Sequence, residues 1–379
     1  MKIGIFETDH FEVAYSVIRL FDNGKNDITI FVHETSKRQL EFLLGDRMLS
    51  YTWVVKKTDE SHLQFISRLY KFAKHARFDI LYLATVSNNH LVFATLIVLL
   101  RKTRIIVTLH DINSHFAAAP TGALRTWVRY FGKRAVIKVT REFNVISSTM
   151  TDYLQSKLPA GKKVHSIPGG IFEEAKRNTL GPNQPPVQLK VVVPGTIDNR
   201  RRNYDDVFDL LEEINRMNLP ISIILLGGIN EYGKDILEKC KQYVSKVSNL
   251  IFFQTDIIDQ PIFDREMAQA HFVWIPSVIN TIISDGITET YGRSISSGTV
   301  FDVIRQGKPC IAPHEMAIPQ EIESSCFRYK SIAEILPFLS AFLTDPDQYD
   351  DWKKTAVENS REFTIEKIRR QNPGIFMQD

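Results

Sequence analysis

The chain has 379 residues, enough for two domains of ordinary size, each able to bury its own core. Hydrophobic residues make up 44% and charged residues 24%, which excludes extended disorder; the longest apolar run, Leu91 to Leu100, stops at Arg101 and falls short of the ~18 residues a membrane span needs. Net charge is +3, but basic residues outnumber acids over residues 1–187 and the sign reverses over the remainder, which predicts an anionic partner for the N-terminal half.

The opening MKIGIFETDH runs straight into a strand-like segment without the basic and apolar regions of a signal peptide, so a cytoplasmic location is expected. From there KIGIF, DITIFVH, TWVVKK, DILYLAT, RIIVTLH, FNVISS and KVHSIP read as strands, with helical patterns in most gaps between them. Strands separated by helices imply crossovers and a mainly parallel sheet, with ligands at the strands' carboxyl ends. This unit spans residues 1–172. Residues 173–187 lose the periodicity, carry Gly, Asn and three prolines, and read as a linker.

A second alternation covers 188–345. LKVVVPG, ISIILLG, LIFFQT, FVWIPS and PCIAP are its strands, with helices expected over Tyr204–Met217, Lys234–Lys246, Ile262–Ala270 and Gly298–Gln306. Residues 346–379 read as a helical segment that packs back on the N-terminal domain. The predicted fold class is α/β, two doubly wound Rossmann-like domains facing each other across a cleft. Cys240, Cys310 and Cys326 are far apart, without a CxxC or a His at metal spacing, and read as reduced structural residues.

Between Ile80 and Arg141 the single acid is Asp111, while Arg125, Arg129, Lys133, Arg134, Lys138 and Arg141 recur among Trp127, Tyr130 and Phe131. Residues 125–141 fit either an interfacial helix on an anionic membrane or a solvated helix face with its aromatics in the core.

The segment YGRSISSGTVFDVIRQGKPCIAP, Tyr291 to Pro313, is the most informative. Ser296, Ser297 and Gly298 open a helix that Gly307 and Pro309 end before a strand. A Ser-Gly start leaves backbone N–H groups open at the positive end of the helix dipole, which suits a phosphate, and it equally suits a plain N-cap. In PGTIDNRRRNYDDV, the strand ends at Gly195 and Arg200, Arg201 and Arg202 follow, as cations for a leaving diphosphate or as a solvated run paired with Asp205 and Asp206. On the N-terminal side His110 and Asp111 follow the strand RIIVT. Asp9 and His10 follow the first strand, where they form a general base near an acceptor hydroxyl or a surface turn.

Tyr291, then Ser297-Gly298 and Gly307-Lys308-Pro309, resemble GT-B glycosyltransferases of bacterial polysaccharide assembly, the family 4-like, group 1 enzymes. The resemblance implies a donor site at Gly195, Arg200, Arg201, Arg202, Tyr291, Ser297, Gly298, Thr299 and Asp302, with the helix start on the donor diphosphate and Asp302 on the nucleotide ribose. It favours Arg202 for the diphosphate and places His110 on the transferred sugar. Relatives carry a further glutamate eight residues before Asp302, but Ser294 stands there. Glu289, in ETYG, is the nearest substitute for a sugar-facing catalytic carboxylate.

The implied activity is transfer of a sugar from a nucleotide-sugar donor to a glycan or lipid-linked acceptor, in bacterial surface polysaccharide synthesis, with retention of configuration if it follows relatives with two glutamates. No metal or other cofactor and no nucleic acid is expected. A nucleotide-sugar 2-epimerase of the same fold, and a catalytically silent partner subunit, remain open alternatives.

Overall fold

The computed structural model describes residues 1–174, 188–245, 248–283 and 286–376. Most of the segment expected as a linker, 175–187, lies outside the described residues, as do residue 246 of the helix expected over 234–246 and the last three residues, 377–379, of the C-terminal segment.

Seven strands, β1 (Lys2–Phe6), β2 (Asp27–Val32), β3 (Thr52–Val55), β4 (Ile80–Leu83), β5 (Arg104–Thr108), β6 (Glu142–Val145) and β7 (Lys163–Ser166), form the first sheet in the order β3-β2-β1-β4-β5-β6-β7. All neighbours are parallel. The second half supplies β8 (Leu189–Pro194), β9 (Ile221–Leu226), β10 (Leu250–Phe252), β11 (Phe272–Trp274), a hairpin β12 (Asn280–Ile282) and β13 (Thr288–Thr290), then β14 (Cys310–Pro313) and β15 (Cys326–Tyr329). Its main sheet runs β10-β9-β8-β11-β14-β15, again parallel throughout. Strands such as ILYL and ISIILL are buried at every residue because helices cover both faces of each sheet.

Strand order reverses between β1 and β4 in the first sheet and between β8 and β11 in the second, so each sheet has a crevice at its carboxyl edge there. The two halves touch directly. Asp111 pairs with Ile295 in an isolated bridge, and Ile112 N–H donates to Ser294 O at 2.8 Å. One buried apolar cluster runs from Ile3 and Ile30 through Ile167 and Phe172 to Val300, Phe301 and Phe376.

The end of the chain divides in two. Helix Pro346–Ser360 stays with the second sheet, where Trp352 and Tyr349 pack on Phe272. Helices Ile365–Gln371 and Pro373–Phe376 cross to the first domain, where Arg369 donates to the carbonyls of Arg19, Leu20 and Asp22 and Phe376 meets Phe21 at 4.9 Å. The edge strand β15 and the hairpin β12–β13 have no counterpart in the sequence reading. Both are too short to carry a periodicity of their own.

Candidate active site in the interdomain cleft

The crevices face each other across a cleft of about 570 Å³. Its walls come from the segments that follow β1, β4, β5 and β6 on one side and β8 on the other, closed by the start of helix Gly298–Gln306.

That helix begins at Ser297, whose side chain makes no capping hydrogen bond, so its first backbone amides open on the cleft. Ser297, Gly298, Thr299 and Tyr291 all line the space. Beside them lies Arg202, whose guanidinium donates to Pro194 O at 2.6 Å and Thr196 O at 2.7 Å and reaches Thr299 Oγ1 at 3.5 Å. Among the described residues no carboxylate pairs with Arg202, so its charge is available to an anion in the cleft. Gly195 makes this placement feasible: φ is +94°, and a Cβ there would overlap Arg202 Nη2.

The three arginines expected together part company. Arg200 turns away onto the buried Asp198, at 2.7 Å, and its guanidinium stacks on the Tyr232 ring, so it does not line the cleft. Burial raises the Asp198 carboxyl, but the bonds from Arg200 and Asn230 override it and hold the group down at about 2. Arg201 stays on the cleft wall, its buried Nε 3.7 Å from Asp198 Oδ2, an ion pair without a hydrogen bond.

Asp302, one turn into the helix, lines the cleft and lies 3.3 Å from Arg305. Burial pushes its carboxyl up to about 7 against the pull of Arg305.

On the N-terminal side, Glu7 is completely buried and accepts from the N–H groups of Asp9 at 2.6 Å and His10 at 2.8 Å and from Thr85 Oγ1 at 2.7 Å. Those bonds fold the loop after β1 so that Asp9 and His10 face the cleft. Thr85 Oγ1 also lies 3.0 Å from His110 Nε2, which is 2.7 Å from Ala84 O. A carbonyl only accepts, so Nε2 carries the proton. His10 and His110 stack at 4.9 Å. Burial first, then His10, lowers the His110 imidazole, while burial raises Glu7 to about 6 despite His110.

Residues 12–174 match the family model Glycosyltransferase Family 4. The Anabaena protein HepE, in complex with UDP-glucose, superposes with a TM-score of 0.66 at 14% identity, covering 100% of this chain and 99% of its own. The catalytic domain of starch synthase IV from Arabidopsis thaliana, bound to ADP and acarbose, gives 0.60 at 12% identity with 99% and 98% covered. A Listeria monocytogenes protein assigned as a UDP-N-acetylglucosamine 2-epimerase gives 0.60 at 9% identity with 100% and 97% covered. At these identities the structural likeness is one of fold, the GT-B fold. The chain has the GT-B fold, with an N-terminal domain that resembles Glycosyltransferase Family 4. No protein of curated function matches its sequence.

In this GT-B protein Glu289 does not face the cleft, which corrects its expected place as the sugar-facing carboxylate. It is buried on β13, and its oxygens accept from the backbone N–H groups of Asn113 at 3.2 Å and Ser114 at 2.8 Å, tying the hairpin to helix Ile112–Phe116 of the other domain. Burial raises its carboxyl from 4.5 to about 7. A carboxyl raised on folding stabilises fully below its unfolded pKa, and that contribution is lost as pH climbs through the folded value. The stability of the native protein is therefore expected to fall between about pH 4.5 and 7 relative to Glu289→Gln, by on the order of 2 kcal/mol. Parallel thermal melts of the two proteins across that range, with no change in the gap between them, would rule it out.

Glu7, Thr85 and Arg305 are cleft or sub-cleft residues that sequence reasoning passed over. An acid directly after the first strand of a doubly wound sheet, at the switch point, was the available signal for Glu7. Arg305 had only its place three residues after Asp302, and two of its guanidinium nitrogens, Nε and Nη2, are buried without a hydrogen bond among the described residues.

Proposed function

We propose that this protein is a glycosyltransferase that moves a glycosyl group from a nucleoside-diphosphate sugar to a glycan or lipid-linked acceptor, with the donor on the C-terminal domain and the acceptor on the N-terminal one. The observation that carries this reading is the uncapped helix start at Ser297-Gly298 with Arg202 beside it, opening on the same cleft as His10 and His110.

Breaking the bond from the anomeric carbon leaves its electron pair on a diphosphate oxygen. The amides of Gly298 and Thr299, with the Arg202 cation, are preorganised for that charge. Asp302 accepts from the ribose hydroxyls. A neutral His110, its Nε2 proton held by Ala84 O, serves a hydroxyl of the transferred sugar through its other nitrogen. Among the described residues Glu289 is turned away and Ser294 is buried; on a retaining course the departing phosphate takes the acceptor proton on the face it leaves.

UDP-glucose and UDP-N-acetylglucosamine, each with and without a glycan acceptor, test the reading. Transfer predicts UDP release that rises with acceptor. Isomerisation of UDP-N-acetylglucosamine without acceptor and without UDP release would replace it with an epimerase, and inertness towards every donor would leave a binding subunit.

A role in surface polysaccharide assembly at a membrane fits the outer face of helix Leu124–Val139. Leu124 is 79% exposed and Phe131 54%, with Val128 between them, and Arg125, Arg134 and Lys138 are exposed around them. Lys133 and Arg129 face the cleft instead, so the membrane contact expected of all the basic residues in 125–141 is narrowed to the outward ones. Among the described residues no helix is long and apolar enough to cross a membrane, so contact would be peripheral. Cosedimentation with vesicles rich in anionic lipid should weaken by about 1 kcal/mol for each of Arg125, Arg134 and Lys138 changed to Glu. Binding that is indifferent to all three changes would argue for a free acceptor.

A further inference from the structure

Glu7 follows β1 beside the reversal in strand order and is fully buried beneath the cleft wall. Three donors converge on its carboxylate, the N–H groups of Asp9 and His10 on Oε1 and the Thr85 hydroxyl on Oε2. Backbone amides cannot reverse, so the site calls for a pair of oxygens that only accept, an ionised carboxylate. The Thr85 proton is then spent on Glu7. Thr85 Oγ1 therefore meets His110 Nε2, 3.0 Å away, with a lone pair, and Ala84 O does the same at 2.7 Å. Both acceptors draw the ring proton to Nε2 and leave Nδ1 with its lone pair.

The link crosses the carboxyl ends of three adjacent strands, β1, β4 and β5, from Glu7 through Thr85 to His110. Its negative end lies out of solvent, where its field on the ring is little screened. Hydrogen bonds in series polarise one another, so a carboxylate behind the hydroxyl increases the electron density offered at Nδ1. Folding the loop after β1 takes the two amide bonds alone. The third bond, to Thr85, connects Glu7 to a ring on the cleft. The other titratable groups here are Tyr82 beside Glu7, and His10, Asp111 and His115 around His110. Among the described residues none of these four hydrogen-bonds to the His110 ring, which bonds only to Thr85 and Ala84.

We propose that Glu7 is a positioning residue for His110: acting through the Thr85 hydroxyl, it fixes the imidazole proton on Nε2 and strengthens Nδ1 as the acceptor for a hydroxyl of the transferred sugar. The inference rests on the transferase reading above, which sets that sugar against His110.

Proton–nitrogen spectra of the full chain carrying isotope-labelled histidine read the relay without substrate, the His110 signal being assigned by its loss in His110→Gln. An Nε2–H signal is expected in the native chain, unchanged in Thr85→Ser, and shifted or lost to exchange with water in Thr85→Val and Glu7→Gln. Thr85→Val keeps the side-chain shape and deletes only the hydroxyl, so the test stays decisive if Glu7→Gln fails to fold. With whichever of UDP-glucose and UDP-N-acetylglucosamine is turned over, kcat should fall about tenfold or more in Thr85→Val and Glu7→Gln, the worth of a hydrogen bond to a charged group. UDP affinity by calorimetry should stay level across all the variants, and Thr85→Ser should retain the native rate. A His110 signal that is identical in the native chain, Thr85→Val and Glu7→Gln, or a native ring with its proton on Nδ1, would overturn the relay. So would Thr85→Ser turning over as slowly as Thr85→Val, since shape and not the hydroxyl would then matter. The expected signals in a native chain inert towards both donors would count against the transferase reading and not against the relay.

Discussion

Gly298→Val is expected to abolish donor binding while leaving the fold intact. The first residue of helix Gly298–Gln306 presents its amide to the cleft, and a Cβ built there meets no atom within 4 Å. The added side chain therefore enters empty cleft space, not the core, and displaces the group that the helix start would hold. Backbone φ at Gly298 is in the ordinary negative range, so valine brings no strain, and removing a glycine lowers the entropy of the unfolded chain. Two charge-assisted bonds to phosphate, at roughly 1.5 to 3 kcal/mol each, place the loss of UDP affinity at a hundredfold or more, while the melting temperature of the free protein should move by no more than about 2 °C. Calorimetric titration of UDP into both proteins decides it. Unaltered affinity would dismiss the helix start as the phosphate site.

Arg202→Ala should cost about 1.5 to 3 kcal/mol of UDP affinity, roughly ten- to a hundredfold, because the guanidinium is anchored by the Pro194 and Thr196 carbonyls without an acid to neutralise it. Arg200→Ala is the contrasting substitution. Its guanidinium answers the buried carboxylate of Asp198 and covers the Tyr232 ring, so its loss should lower stability and leave UDP affinity nearly unchanged. The reverse pattern, with Arg200→Ala losing UDP and Arg202→Ala retaining it, would exchange their roles and require the loop to rearrange when donor binds.

Strand runs such as DITIFV and ISIILL were legible as buried parallel strands because both faces of each sheet are covered, so apolar residues fill most positions. The helix over Gly298–Gln306 was legible to the residue, since a Ser-Gly start and a Gly-x-Pro stop are local signals that need no partner. The two-sheet α/β architecture followed from alternation alone, and with it the rule that ligands lie at the carboxyl ends. His110, Asp9 and His10 were found by that rule, Ser297 by its helix start and Arg202 by the resemblance, and all line one cleft.

Which of several plausible side chains turns into the cleft depended on contacts between segments far apart in sequence. Glu289 was read as facing the sugar, but the amides at the start of a short helix 175 residues earlier claim its oxygens. Arg200, Arg201 and Arg202 are indistinguishable as a basic run. Asp198, buried and needing a cation, takes the first and leaves the third free to lie over Gly195. Lys133 looked like part of a membrane-facing basic stripe until a glycine crossing with helix His90–Leu99 turned it inward. Local periodicity therefore determined the strands, the helices and the edge at which chemistry gathers, because those follow from backbone hydrogen bonding and burial along one segment. The direction of each charged side chain at that edge was decided by tertiary structure, because a buried charge or amide takes the nearest partner in space, whatever its distance along the chain.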